Sequence, residues 1–369
     1  MRTRDYIIEY QRTLADTGTL IKDIDIMDPV SALYLEFEGT NGSSGNEDNF
    51  MSDVITKIEI VDGSEVLYSV SLHQLEALHF YKLKKTPVLF PSEWANGTQR
   101  HGCLLLFGRH LWDREFAMDF TRFRNPQLKI TTNIAAVRAA SATSAIVSGT
   151  LTGTVIAKIM EDVPAPSRYL MAKDYYNFTS TGSGYERADL PRDYKYRMLM
   201  LRAFIEAYDV HSIISEIKLS CDSDKFVLLD RKVKQLGAEA QAEFGELFIR
   251  HNVLRATDAD IRGLCHGETQ FTFFPSIATQ YTVFTNQLQF GGTVRLGMVT
   301  EGGGSAGTRR LWGWEIGHAL HATVPIPFGI MDEPDTWFDP TAYGKVEAIM
   351  NDDTAAAVCE LVLEQERSL

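Results

Sequence analysis

Gly303-Gly-Ser305-Ala-Gly307 has the G-x-S-x-G spacing of a hydrolase nucleophile elbow. That chemistry needs the serine on a sharp strand-to-helix turn, with an acid and then a histidine further along the chain. Here Leu311-Trp-Gly-Trp-Glu-Ile316 follows and reads as a strand, so Gly302 to Gly304 is read as a flexible loop. The same loop lacks the Gly-Lys pair of a phosphate cradle. Glu315, His318 and His321 are close enough in sequence to suggest a metal. A histidine pair at spacing three suits one helix face, but Gly313 and Gly317 make this segment extended, and on a strand positions 318 and 321 point to opposite faces. Structural histidines are the favoured assignment. Asp222 and Asp224 begin like a calcium loop, yet the glycine and the closing glutamate of an EF-hand are missing. Carboxylates are abundant, but nothing singles out a pair for glycoside chemistry. Trp112, Trp312, Trp314, Trp337 and Tyr343 could line a sugar cleft; aromatic residues of this kind more often fill a sandwich core or a subunit contact. The sequence therefore nominates no catalytic residue, no cofactor-binding residue and no metal ligand, and the chain is read as not an enzyme.

Charge and composition narrow the partners. The 369 residues carry a net charge of −13, which argues against a broad nucleic-acid surface. Lys82-Leu83-Lys84-Lys85 is the densest basic patch and reads as a solvated loop after a helix. Cys103, Cys221, Cys265 and Cys359 are far apart and form no CxxC pair, so reduced, half-buried thiols are expected. Met1 to Ala15 has no secretory-type apolar core, and no apolar stretch reaches the roughly 20 residues of a membrane helix, so folding in a cytoplasm is expected. The glycosylation-type triplets at Asn41, Asn96 and Asn177 then read as chance.

The elements that would position any site are mostly strands. Leu33, Leu35 and Phe37 alternate with polar neighbours, as do Ile58 and Ile60, Phe116, Met118 and Phe120, and Leu151, Gly153 and Val155. The second half continues with Phe271 and Phe273, Tyr281 and Val283, and Val294, Leu296 and Met298. Cys359, Leu361 and Leu363 alternate with Glu360, Val362 and Glu364. Period two puts one set of side chains on one face of a sheet. Turn clusters at Asp62-Gly63, Asn96-Gly97, Gly291-Gly292 and Gly302-Gly303-Gly304 separate the runs, as in sandwiches and barrels.

Helical signals are few. Ser71 to Tyr81 places Leu72, Leu75 and Leu78 near a helical period, with Ser71 as the cap. Arg231 to His251 does so with Val233, Leu236, Ala240 and Phe244, and Asp230 is the expected cap. Both helices follow the same layout. Ile55 to Ile60, a turn at Asp62-Gly63, Glu65 to Tyr68 and a helix match Ile213 to Leu219, a turn near Asp222 to Asp224, Phe226 to Leu229 and a helix. This layout reads as a duplicated domain. Between Ile159 and Met198, Pro164, Pro166, Gly182, Gly184 and Pro191 argue against a continuous strand or helix, while Tyr169, Tyr175, Tyr176 and Phe178 argue for an ordered crossing. The expected division is 1–163, an N-terminal roll; 164–196, an ordered linker; and 197–369, a C-terminal roll.

Three segments carry a resemblance: Ile55-Thr-Lys-Ile-Glu-Ile-Val-Asp-Gly63 leading into Ser71-Leu-His-Gln-Leu75; Asp174-Tyr-Tyr-Asn-Phe178 with Glu186-Arg-Ala-Asp-Leu-Pro-Arg192; and Ile213 to Glu246. Together they resemble the major capsid protein of corticoviruses, within the double jelly-roll lineage that includes tectiviruses and adenoviruses. Extra length relative to that family falls in Gly39 to Asn49, Thr86 to Arg100 and Thr300 to Arg310.

The resemblance implies an all-β fold of two tandem eight-stranded jelly rolls, each with a short helix after its strand-turn-strand unit. It implies a homotrimer acting as a pseudo-hexagonal tile of an icosahedral virion shell, around an internal lipid membrane and made in the host cytoplasm. The implied partners are the chain itself, neighbouring capsomers, and penton or minor capsid proteins, with no sequence-specific nucleic-acid binding and no cofactor. Met1 to Asp16, with Ile7, Tyr10 and Leu14 at helical spacing beside Arg2, Arg4 and Arg12, is a candidate arm against a neighbour or anionic headgroups, with a frayed or packed terminus as the alternative. The rival function is a carbohydrate-active or carbohydrate-binding protein on the same pair of rolls, which fold alone cannot exclude.

Overall fold

A computed structural model describes residues 1–43, 46, 49–135, 137, 146–255, 259–275, 281–290, 292–300 and 309–369. The first half contains strands β1 (Arg2–Thr13), β2 (Thr17–Asp23), β3 (Val30–Thr40), β4 (Ile55–Asp62), β5 (Glu65–Val70), β6 (Val88–Phe90), β7 (Thr98–Leu106), β8 (Pro126–Asn133) and β9 (Thr152–Glu161). They form two facing sheets in the orders β1-β9-β3-β7-β6 and β2-β8-β4-β5. Leaving aside the short β6, these are the two four-stranded sheets of a jelly roll. Leu33, Leu35 and Phe37 of β3 and Ile58 and Ile60 of β4 are buried between them, on the faces that alternation assigned.

The second half repeats the design. Strands β10 (Arg168–Thr181), β11 (Tyr185–Asp189), β12 (Tyr196–Phe204), β13 (Ile214–Cys221) and β14 (Phe226–Lys232) come first. Then follow β15 (Leu247–Arg255), β16 (Ala259–Arg262), β17 (Cys265–Pro275), β18 (Tyr281–Phe290), β19 (Thr293–Thr300) and β20 (Arg309–Leu320). Last come β21 (Thr323–Pro327), β22 (Val346–Asp352) and β23 (Ala355–Ser368). The orders β10-β23-β12-β21 and β11-β22-β13-β14 reproduce the first roll strand for strand. β15 to β20 make two additional three-stranded sheets, β15-β20-β17 and β16-β19-β18, inserted between the second roll's helix and β21. β10 and β5 run parallel, with Lys173 opposite Ser69, so a sheet from each roll joins into one of eight strands.

The helices end where their residues dictate. Leu72–Leu83 starts at Ser71, whose hydroxyl accepts from the Gln74 amide while the Gln74 side chain accepts from the Ser71 amide. Such a box is worth about 1 kcal/mol. The second helix is Val233–Phe244, shorter than the Arg231–His251 expected. Its cap position is Lys232, not Asp230, and Gly245, at φ 87, ends it. Leu247 onward is strand, because Leu247 and Ile249 are buried while Phe248 and Arg250 point out.

Other expectations change as well. Ile7, Tyr10 and Leu14 are not on a helix; Arg2–Thr13 is an edge strand paired with β9. Register shifts between Ile7 and Glu9 and between Glu9 and Arg12 break its alternation and mimic a longer period. Phe116 and Met118 are not in a strand either: each makes one isolated bridge, to Arg168 and to Val30, and Phe120–Arg122 is a 3-10 turn. Within 164–196, the Pro and Gly residues flank strands without interrupting them. β10 pairs with β23 over its length and β11 pairs with β22, so both contribute to the second roll's sheets. Among the described residues, no helix is long and apolar enough to cross a membrane.

Candidate assembly surfaces and the seam between the rolls

The helix Leu72–Leu83 is buried nearly all round, because it packs on its own roll and under the second one. Lys82, expected in a solvated loop, is on its last turn and almost fully buried, with Nζ 2.5 Å from Glu364 Oε1 and 3.1 Å from the Leu106 carbonyl. Arg197 from β12 donates to the other Glu364 oxygen and to the Met331 carbonyl. Gln74 donates to Glu360 at 2.7 Å, Arg202 reaches Glu360 at 3.0 Å, and the Tyr81 hydroxyl donates to the Thr323 carbonyl at 2.7 Å. Between these polar ties, Met198, Met200 and Val362 join the first roll's hydrophobic core. Leu199, Leu201, Leu361 and Leu363 point into the second roll's core. β12 and the middle of β23, from Leu361 to Gln365, are therefore buried on both faces.

Burial alone would neutralise Lys82 and Glu364. It pushes Lys82 down to about 8, although Glu364 acts in the opposite direction. For Glu364 burial raises the pKa, but Lys82 and Arg197 together outweigh it and hold the carboxylate below its ordinary value. The seam is therefore a buried, paired network, whose partners become costly only if one is removed.

A second set of buried charges ties the first roll to the insertion. His251 of β15 has Nδ1 2.8 Å from Glu93 Oε1 and Nε2 2.9 Å from Glu315 Oε2. Glu315 also accepts the Leu264 and Cys265 amides. Burial opposes a charge on His251, yet the two carboxylates raise its pKa to about 10. Nearby, Glu76 takes His101 and His321 on its two oxygens, and Asp53 takes His73 and Arg262.

The residues that raised chemical possibilities go to separate places. Glu315 faces His251, His321 faces Glu76, and His318 lies against Gly267 and Gly237 in a small hollow. Asp222 accepts the Lys345 amide and Asp224 ties back to Ser220 and Lys218, so both shape a turn. Trp337 is buried on Phe116, with its indole N–H on the Ile330 carbonyl. Tyr343 stacks on Phe226 and Phe338, while Trp312 and Trp314 pack together on β20 in the insertion. Trp337 and Tyr343 line one groove at the second roll's edge, and Trp112, Trp312 and Trp314 are not part of it. Gly303 to Gly307 lies outside the described residues. The four cysteines are free and fully buried, more deeply than expected.

Two flanks carry exposed apolar side chains. On the first roll's outer edge, β1 exposes Tyr6, Ile7 and Tyr10, β2 exposes Ile21, and Met27 follows. On the second roll's outer edge, β14 exposes Phe226 and Val227 beside a groove of about 420 Å³ lined by Leu228, Ile326, Phe328, Phe338 and Tyr343. The helix Val233–Phe244 buries Val233, Leu236, Gly237, Ala240 and Phe244 and leaves Lys234, Gln235, Glu239 and Glu243 exposed. Sequence reasoning missed the seam entirely. Its one sign was Val362, an apolar residue between Glu360 and Glu364 on what should have been the polar face.

No protein-family model matches the chain, and no curated protein is detectably similar in sequence. Solved structures are similar over the full length. The STIV MCP superposes with a TM-score of 0.61 at 12% identity, covering 99% of this chain and 96% of that one. The major capsid protein P2 from Bacteriophage PM2 gives 0.56 at 10% identity, covering 100% and 98%. The PBCV-1 virus capsid gives 0.55 at 9% identity, covering 100% and 94%. At such identities the likeness concerns architecture: this chain is folded as a double jelly roll, the fold of those capsid proteins.

Proposed function

We propose that this chain is the major capsid protein of an icosahedral virus, a building block that works by contact with copies of itself and with other virion proteins. The observation that carries the reading is the end-to-end match, in both directions, to capsid proteins built from the same two rolls. The reading takes the functional unit to be a homotrimer. Each chain offers two different flanks, and a head-to-tail contact between unlike flanks closes a ring when the rotation fits. Three chains then give six rolls and a pseudo-hexagonal tile. The exposed Tyr6, Ile7, Tyr10, Phe226 and Val227 supply apolar area for such contacts.

The reading extends to a shell around an internal lipid membrane, with penton and minor capsid proteins as further partners. Residues 1–16 are assigned to the trimer or capsomer contact in preference to lipid, because Arg2–Thr13 is the edge strand of one sheet and carries exposed Tyr6, Ile7 and Tyr10, while β2, the edge of the other sheet, exposes Ile21. We also place the roll boundary between Glu161 and Arg168, so that 164–196 supplies β10 and β11 to the second roll. The test is to express the chain and determine its mass and shape by light scattering and negative-stain imaging. Compact trimers with a six-cornered outline are expected; a stable monomer at micromolar concentration would overturn the proposal.

A further inference from the structure

The contact between rolls within one chain has a counterpart that the isolated chain leaves open, and its charges are reversed. Register fixes the equivalence. Val30 opens β3 and bridges Met118, and Tyr196 opens β12 and bridges Phe338. Two positions on, Ala32 stands opposite Lys158 of β9 and Met198 stands opposite Glu364 of β23. The neighbouring pairings agree: Lys158 is opposite Asp5 and Glu364 is opposite Ala172, each two residues before a register shift, at Ile7/Glu9 and at Asp174/Tyr176. Lys158 therefore holds in the first roll the position of Glu364 in the second. The helices align as simply. Both have 12 residues and start one place after Ser71 or Lys232, so Lys82 and Glu243 are both penultimate. Within the chain, the first helix presents Lys82 to Glu364. The second helix presents the opposite charge, Glu243, exposed, and the first roll's sheet presents Lys158 in place of Glu364.

We propose that the second helix of one subunit docks on the β1-β9-β3 face of the next, with Glu243 paired to Lys158, so that the contact between subunits repeats the contact within each chain with its charges exchanged. The inference rests on the trimeric reading above. The receiving face is only half buried at Tyr34, Glu36, Ile156 and Lys158, whereas its intrachain counterparts Met200, Val362 and Glu364 are covered. Lys82 and Glu364 are already paired and buried inside each chain, so the charges left for a neighbour at these equivalent positions are Glu243 and Lys158, which attract.

In the free subunit Lys158 is held by Asp5 at 2.7 Å, at the rim of this face. The experiments allow for that. On the wild-type trimer, a zero-length carbodiimide should join Lys158 to Glu243 across subunits, read by peptide mass spectrometry. Finding Lys158 joined only to Asp5 in a preparation that is trimeric by mass would overturn the inference and leave the trimer intact. Separately, Glu243→Lys should raise the trimer dissociation constant about tenfold or more, and Lys158→Glu in an Asp5→Asn background should restore it. An unchanged constant for Glu243→Lys, or no rescue by the folded triple variant, would equally overturn it. A wild-type chain that never trimerises would instead defeat the functional reading.

Discussion

Asp119 and Asp339 hold the same turn in the two rolls. Asp119 Oδ1 accepts from the Thr121 amide and hydroxyl at 3.1 and 2.6 Å, and Asp339 Oδ1 accepts from the Thr341 amide and hydroxyl at 3.0 and 2.6 Å. Each caps a 3-10 turn directly after a bridge to the start of its roll's own β3 or β12 strand. Asp119→Ala and Asp339→Ala should each cost about 1 kcal/mol, the usual value of such a cap. Urea unfolding of both variants checks this. A large effect from one and none from the other would show that the two turns are not equivalent.

Glu364 is the centre of the seam. Glu364→Gln removes the carboxylate but leaves Lys82 and Arg197 buried without a counter-charge. The expected loss is about 3–5 kcal/mol, because an uncompensated buried charge costs more than the pair contributed. Lys82→Met should cost less, since Glu364 keeps Arg197. Comparing the two by chemical denaturation tests the ranking, and equal costs would contradict it.

How far the sequence predicts the fold depends on whether a strand has one wet face. β3 and β4 do, and their alternation in Leu33, Leu35 and Phe37 and in Ile58 and Ile60 announces them. β12 and the start of β10 are covered on both faces, so Met198 to Leu201 and Tyr169 to Ala172 read as undirected apolar runs. β1 has two wet faces and register shifts, and Ile7, Tyr10 and Leu14 imitate a helix. The duplication was visible as layout, since each helix follows a strand-turn-strand unit. The assembly surface was not, because its charges make sense only against a partner: Lys82 looks solvated until Glu364, far along the chain, is seen beside it.

The thiols provide a check on packing. Cys103, Cys221, Cys265 and Cys359 are buried, and burial raises the Cys103 and Cys265 pKa well above the ordinary value and moves Cys359 to about 12. Neither access nor thiolate is available in the native state. A thiol reagent at neutral pH should modify none of them quickly in the folded protein and all of them in denaturant. Fast native labelling of any one would mean its surroundings open readily.

His251 gives the stability a definite pH dependence. Its folded pKa is about 10 against 6.5 for a free imidazole, so between those values the native state holds a proton that the unfolded chain has lost. Stability from this group is whole below pH 6.5 and is lost as pH rises through 10. Lys82 works the other way. Its folded pKa of about 8 lies below 10.5, so over that window the native state holds fewer protons and gains stability with pH. The two contributions overlap above pH 8, and a variant separates them. His251→Gln leaves Glu93 and Glu315 facing each other in a dry site and should cost about 3–5 kcal/mol near pH 6. Because Lys82 is unchanged, it cancels from the comparison. The melting-temperature gap between wild type and His251→Gln should therefore be widest at about pH 6 and narrow steadily toward about pH 10. A gap that stayed constant would mean that His251 is neutral in the folded chain, and that its two carboxylates share their charge with other groups.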